Sequence, residues 1–189
     1  MARRRYRKSY RRPKGRWCSN IKNVNKTATY TITAAQQVAG GTLWMSDLLA
    51  ENPAQADNTV SQIYTVKNFD ISFFLEYDCN SPTTTGFLDG FACYIVYVPQ
   101  GFTVNNEIIN THPEWIMAMR YVGEPKNDTT EQQQFLPFRI RSRMARKLNT
   151  GDGIYFLAVG RRDPIQVATT TITLNLDTKG LVRWWTKAN

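Results

Sequence analysis

The sequence predicts an all-β fold: a single eight-stranded jelly roll, a two-sheet sandwich, with a disordered basic N-terminal arm. Three observations carry that reading. Apolar residues recur at every second position in several segments, the period of a half-buried strand. About eight such segments follow one another, separated by stretches rich in turn residues. Strand-like and helix-like segments do not alternate, which disfavours a parallel α/β sheet. The long connections fit a jelly roll better than a meander barrel closed by tight hairpins.

Residues 1–17 are the arm. The 189-residue chain has 24 Lys and Arg against 15 Asp and Glu, a formal net charge of +9. Nine of the 24 lie in residues 1–16, with no acid among them, so the remaining chain carries 15 basic and 15 acidic residues and is neutral. A segment with this charge and no aliphatic side chains repels itself and is expected to stay disordered until it meets a polyanion. Residues 18–27 are polar and read as a linker, leaving 28–189 as the jelly-roll domain.

The first strand is expected at 27–34, with Ala28, Tyr30, Ile32 and Ala34 opposite a row of threonines. Thr42–Ala50 reads as a short helix, with Thr42 as N-cap and Leu43, Met45, Leu48 and Leu49 available for packing. In 63–77, Phe69, Ile71, Phe73, Leu75 and Tyr77 share one face, opposite Asn68, Asp70, Ser72 and Glu76. Residues 91–98 are continuously apolar up to Pro99, as in a strand covered on both faces. Further strands are predicted at 115–122, 135–147, 153–160, 167–176 and 181–186. The connections 50–62, 78–90, 99–114 and 123–134 are long enough to be functional surfaces.

Several chemistries find no support. The three cysteines, Cys18, Cys79 and Cys93, form no CxxC pair, so neither a disulfide framework nor a zinc site is expected, and Cys93 reads as a buried small hydrophobe. His112 is the one histidine and has no nucleophile motif beside it. Phosphate-binding glycine loops, HExxH and DxDxDG-type calcium spacing are absent; no metal, cofactor or enzymatic activity is expected. No apolar run is long enough for a membrane-spanning helix, and no apolar segment follows the basic N-terminus as in a signal peptide.

The arm has the chemistry of a nucleic-acid ligand. Arg3, Arg4, Arg5, Arg7, Lys8, Arg11, Arg12, Lys14 and Arg16 can bind phosphates and release counterions. Tyr6, Tyr10 and Trp17 are interleaved with them and offer stacking surfaces to unpaired bases, which favours single strands. Arg3, Arg4, Arg5, Arg7, Lys8, Arg11 and Arg12 also have the composition of a nuclear localisation signal, the kind read by import receptors.

A second basic cluster is Arg139, Arg141, Arg143, Arg146 and Lys147; the first three alternate with Ile140, Ser142 and Met144, which on a strand places three guanidinium groups on one face. That face could bind DNA, bind acidic glycans, or pair with acids from neighbouring strands or subunits; the nearest acids in sequence are Glu131 and Asp152. Adjacent Trp184 and Trp185 must face opposite sides of a strand, so one of them is expected at a subunit interface. Arg161 and Arg162 read as loop charges at a subunit contact.

Together, the arm, the eight-stranded body and several segments resemble the capsid proteins of circovirus-like small circular single-stranded-DNA viruses. The segments are Trp44-Met-Ser-Asp-Leu-Leu, Tyr64–Tyr77, His112-Pro-Glu-Trp-Ile-Met-Ala, Arg139-Ile-Arg-Ser-Arg-Met-Ala-Arg-Lys-Leu, Thr150-Gly-Asp and Trp184-Trp185. The resemblance implies a structural coat protein: about sixty copies in a closed icosahedral shell, a packaged single-stranded DNA circle, and residence in the virion and, during assembly, the host nucleus. Two other classes compete. A non-assembling nucleic-acid binder with a basic tail is disfavoured by the neutral body, and a nuclease by the single histidine and scattered acids.

Overall fold

The computed structural model describes residues 16–53, 63–79, 88–122, 133–164 and 171–188. Its strands are β1 (Cys18–Ile32), β2 (Gly41–Glu51), β3 (Tyr64–Cys79), β4 (Leu88–Val98), β5 (Ile116–Tyr121), β6 (Gln133–Leu148), β7 (Gly153–Arg162) and β8 (Ile172–Ala188). A helix α1 (Ala34–Ala39) joins β1 to β2, and a second short helix α2 (Ile108–Thr111) precedes a 3-10 turn at Pro113–Trp115.

Strand pairing follows one rule. The first strand pairs with the eighth, the second with the seventh, the third with the sixth and the fourth with the fifth, all antiparallel. The chain therefore runs as one long folded hairpin whose strand pairs are rolled into two sheets, β1-β8-β3-β6 and β2-β7-β4-β5. This is a jelly roll, two four-stranded antiparallel sheets packed face to face.

Alternation along β3 sets the core. Phe69, Ile71, Phe73 and Leu75 point inward and are buried, as their spacing predicted. Phe73 packs against Phe156 of β7 at 4.7 Å and against Phe138 of β6 at 5.4 Å between ring centroids, so aromatic contacts tie both sheets together. β4 is covered on both faces: Phe91, Cys93 and Ile95 enter the main core, while Tyr94, Val96 and Val98 join a second cluster with Leu157 and Ile108, under the segment that carries α2. Burial pushes the Cys93 thiol well above its ordinary range, consistent with a packing role.

Three expectations about elements need correction. Thr42–Ala50 is strand β2, not a helix. Leu43 and Met45 alternate into the core, and a bulge at Leu48/Ala50 then brings Leu49 and Ala50 inward, so a bulged strand imitates helical spacing. Residues 18–27 are not a linker but the first two thirds of β1. Among the described residues β1 is an edge strand paired only with β8, so polar outward residues are tolerated there and only Val24 of that stretch is buried. The segments 172–176 and 181–186 belong to one continuous strand, β8, rather than to two; residues 167–170 of the first expected strand lie outside the described residues. Gly180 lies at the middle of β8, directly opposite Phe73, where a β-carbon would overlap the Phe73 ring and the Ser72 carbonyl.

The short helix has its own local code. Thr33 and Gln36 form a reciprocal capping box, the Gln36 N–H donating to Thr33 Oγ1 at 3.4 Å and the Thr33 N–H donating to Gln36 Oε1 at 2.9 Å. Gly40, at φ 70°, ends the helix.

Candidate nucleic-acid interface

Of the residues expected to contact nucleic acid, Arg16, Trp17, Arg139, Arg141 and Arg143 fall within the described part of the chain. Arg3, Arg4, Arg5, Tyr6, Arg7, Lys8, Tyr10, Arg11, Arg12 and Lys14, which include the whole expected localisation signal, lie outside it.

β6 is the other edge of the first sheet. Phe138, Ile140 and Ser142 turn inward and are buried; Ser142 Oγ donates to the Met117 carbonyl at 2.9 Å. Arg139, Arg141 and Arg143 therefore stand together on the outer face of that sheet, exposed, as the alternation predicted. The expectation that no acid lies beside them holds in sequence but not in space. Asp70 of β3 sits across from them: Arg139 donates through Nε to Oδ1 at 2.7 Å and through Nη2 to Oδ2 at 2.6 Å, and Arg141 Nε lies 3.3 Å from Oδ2. The Arg139 fork, then the charges of Arg139 and Arg141, hold the Asp70 carboxyl below the usual carboxylate range. Among the described residues, no acid lies within ion-pair distance of Arg143.

Register extends this basic surface across the sheet. On β3, Asp70 is opposite Arg141 on one side and Arg183 of β8 on the other. Lys67 is opposite Trp185, and Thr65 is opposite both Lys147 and Lys187. One half of the outer face thus carries Lys67, Arg139, Arg141, Arg143, Lys147, Arg183 and Lys187 around the single carboxylate of Asp70. The opposite half has the other sign: Glu76, Asp78 and Asp177 lie there with Lys179, whose Nζ is 3.0 Å from Glu76 Oε2, and a row of β1 threonines lies beyond.

The arm joins the body at the basic half. Trp17 immediately precedes β1, and its ring lies under Lys67 Nζ, 3.8 Å from the centroid. The two tryptophans of β8 divide as strand geometry requires. Trp184 turns inward and stacks on Phe69, with centroids 6.1 Å apart and planes 7° from parallel. Trp185 turns outward and, with Asn68, Asp70, Arg141 and Arg143, lines an open cavity of about 390 Å³. Asn68 has φ 54°, a left-handed conformation that Asn tolerates, at the point where β3 shifts register against both neighbours. Lys67, Arg183 and Asp70 were not singled out from the sequence. The strict alternation of 63–77 was the available signal for Asp70, because it already placed that residue on the solvent side.

Arg161 and Arg162 end strand β7 rather than occupy a loop. Arg161 is exposed. Arg162 is buried and serves its own subunit, donating through Nη1 to the Gln36 carbonyl at 3.0 Å and through Nη2 to the Gly40 carbonyl at 2.7 Å, at the C-terminal end of α1.

The 99–114 connection is ordered by polar and aromatic contacts. Buried Asp152 accepts from Tyr97 Oη at 2.8 Å, the Gln100 N–H at 3.0 Å and the Asn149 N–H at 2.8 Å. Burial, with this bond, pushes the Tyr97 hydroxyl up to about 12. His112 stacks on Trp115 at 3.8 Å and places Nδ1 3.0 Å from Glu114 Oε1.

No protein-family model matches the chain, and no curated protein matches it. Among solved structures, the chain is similar to that of the infectious bursal disease virus Gx strain, at 11% identity and TM-score 0.27, over 93% of this chain and 43% of that one. It is also similar to the VP2 subviral particle of infectious bursal disease virus, at 11% identity and TM-score 0.30, with the same coverage. The chain spans less than half the length of those chains.

Proposed function

We propose that this chain is a self-assembling coat protein that forms a small icosahedral shell of about sixty copies and packages circular single-stranded DNA through its basic arm. One observation carries the reading: the charge is segregated. The nine basic residues of 1–16 join the body beside the cationic half of a sheet face whose other half carries Glu76, Asp78 and Asp177 against Lys179. A polyanion drawn to the arm is thereby drawn to one side of the subunit, the arrangement a shell with a nucleic-acid-filled interior requires. The jelly roll supports it further, since two sheets with unpaired edge strands and separate outer faces leave one side for nucleic acid and the rest for neighbouring copies.

In this reading the protein is structural rather than catalytic, resides in the virion, and enters the host nucleus through import receptors that read the arm. Acidic glycans are a second polyanion for exposed arginines of assembled particles.

Size-exclusion chromatography and negative-stain microscopy of the purified full-length chain test assembly. The expected result is large closed particles whose 260/280 absorbance ratio falls when the nine arm residues are replaced by Gln. Monomers or dimers that bind DNA would instead establish the non-assembling binder.

A further inference from the structure

We infer that the outer face of the β1-β8-β3-β6 sheet is itself a track for single-stranded nucleic acid, with bases stacked on Trp185 and Phe74 and phosphates held by Arg143 and Arg183. This deepens the coat-protein reading and rests on it for the identity of the polyanion.

Four observations converge. First, charge is complementary: seven cations, Lys67, Arg139, Arg141, Arg143, Lys147, Arg183 and Lys187, surround one carboxylate on that half of the face. Second, these cations are not equivalent. Asp70 neutralises Arg139 and Arg141 by direct ion pairs, whereas no acid among the described residues lies within ion-pair distance of Arg143 or Arg183. The two without a partner gain most from a phosphate, because binding does not first break an ion pair. Third, the face offers rings. Trp185 borders the cavity that Arg141 and Arg143 also line. Phe74 is 56% exposed on the same face and borders a second open hollow with Pro137, Arg139 and Leu181. Aromatic platforms alternating with cations bind single strands without sequence preference, while a duplex hides its bases. Fourth, the track begins where the arm ends. Lys67 bridges them, its ammonium over Trp17 and its strand position opposite Trp185.

The same half of a neighbouring copy is a poorer occupant, because its net positive charge repels an identical surface.

The test uses the full-length chain and an oligothymidine carrying 5-iodouracil. Photocrosslinked adducts, mapped by mass spectrometry, are expected at Trp185 and Phe74. Trp185→Phe should retain an adduct at that position, and Trp185→Ala should lose it with unchanged circular dichroism. Arg143→Gln and Arg183→Gln should each lower the slope of log affinity against log salt by about 0.7, one phosphate contact on a single strand. Adducts confined to residues 1–17, with the full slope kept in the Arg143→Gln/Arg183→Gln double variant, would overturn the track and leave packaging by the arm intact. A full-length chain that does not bind the oligonucleotide overturns both. Trp185→Ala with normal oligonucleotide binding but no particles overturns the track and returns Trp185 to a subunit interface.

Discussion

Asp70 and Arg139 form a two-point ion pair across β3 and β6, with both carboxylate oxygens engaged, and Arg141 leans on the same carboxylate. One acid thus occupies two of the three arginines on the edge strand. Asp70→Asn should keep the fold, raise affinity for single-stranded DNA, and steepen its salt dependence by up to about two phosphate contacts. Filter binding over a salt series measures this. An unchanged slope would mean that Arg139 and Arg141 do not face the nucleic acid.

The same pair has a pH signature. The folded-state carboxyl of Asp70 titrates below its unfolded value, so its contribution to stability is complete above the ordinary carboxylate range and is lost as pH falls through the depressed value. Wild type and Asp70→Asn should therefore differ most in thermal midpoint near neutral pH and converge in strong acid. The difference should be small, because the pair lies at the surface.

Gly180→Ala tests how closely β8 lies on β3. The added carbon has no space beside Phe73 and the Ser72 carbonyl, both held in strand geometry. Overpacking of this kind costs about 1–3 kcal/mol. The urea midpoint should fall with an unchanged m-value.

These cases show where the sequence was readable. β3 and β4 were, because a strand buried on one face alternates and a strand buried on both is continuously apolar. β2 was not: Leu43, Met45, Leu48 and Leu49 fit a helical stripe, and only the bulge at Leu48/Ala50 makes them a strand. The N-terminal part of β1 was missed because an edge strand can remain polar outside and bury little more than Val24. Thr33 and Gln36 carry a capping box at the spacing that marks a helix start, so the short helix is legible in the sequence. In the candidate site, the shared face of Arg139, Arg141 and Arg143 followed from period two alone. Asp70 and Arg183 did not, since their place beside that cluster depends on which strands become neighbours, and local pattern does not encode strand order.

Arg162→Met should destabilise the body without touching DNA affinity. The guanidinium lies inside the fold and caps two carbonyls at the end of α1; burial lowers its tendency to hold the charge, and the bonds to Gln36 and Gly40 help to retain it there. Leaving those carbonyls unpaired costs about 1–3 kcal/mol. Faster hydrogen exchange confined to residues 33–41, with an unaltered salt slope, is the expected pattern.

Trp184→Ala and Trp185→Ala should separate folding from function at adjacent positions. Trp184 is packed against the core through Phe69, so its removal leaves a void between β8 and β3 that the strands cannot close without losing register. For a partly buried Trp the loss should be near the lower end of the range for large-to-small core changes, about 3 kcal/mol. Trp185 faces outward over the basic cavity, and its removal leaves the inner packing in place. Its thermal midpoint should stay near wild type while DNA affinity falls by about 1–3 kcal/mol, the worth of one stacked base. Differential scanning calorimetry and oligonucleotide titration on both variants decide the matter. Equal destabilisation by the two substitutions would contradict the division of faces, because Trp185 borders an open cavity on the outer face and Trp184 packs against the core.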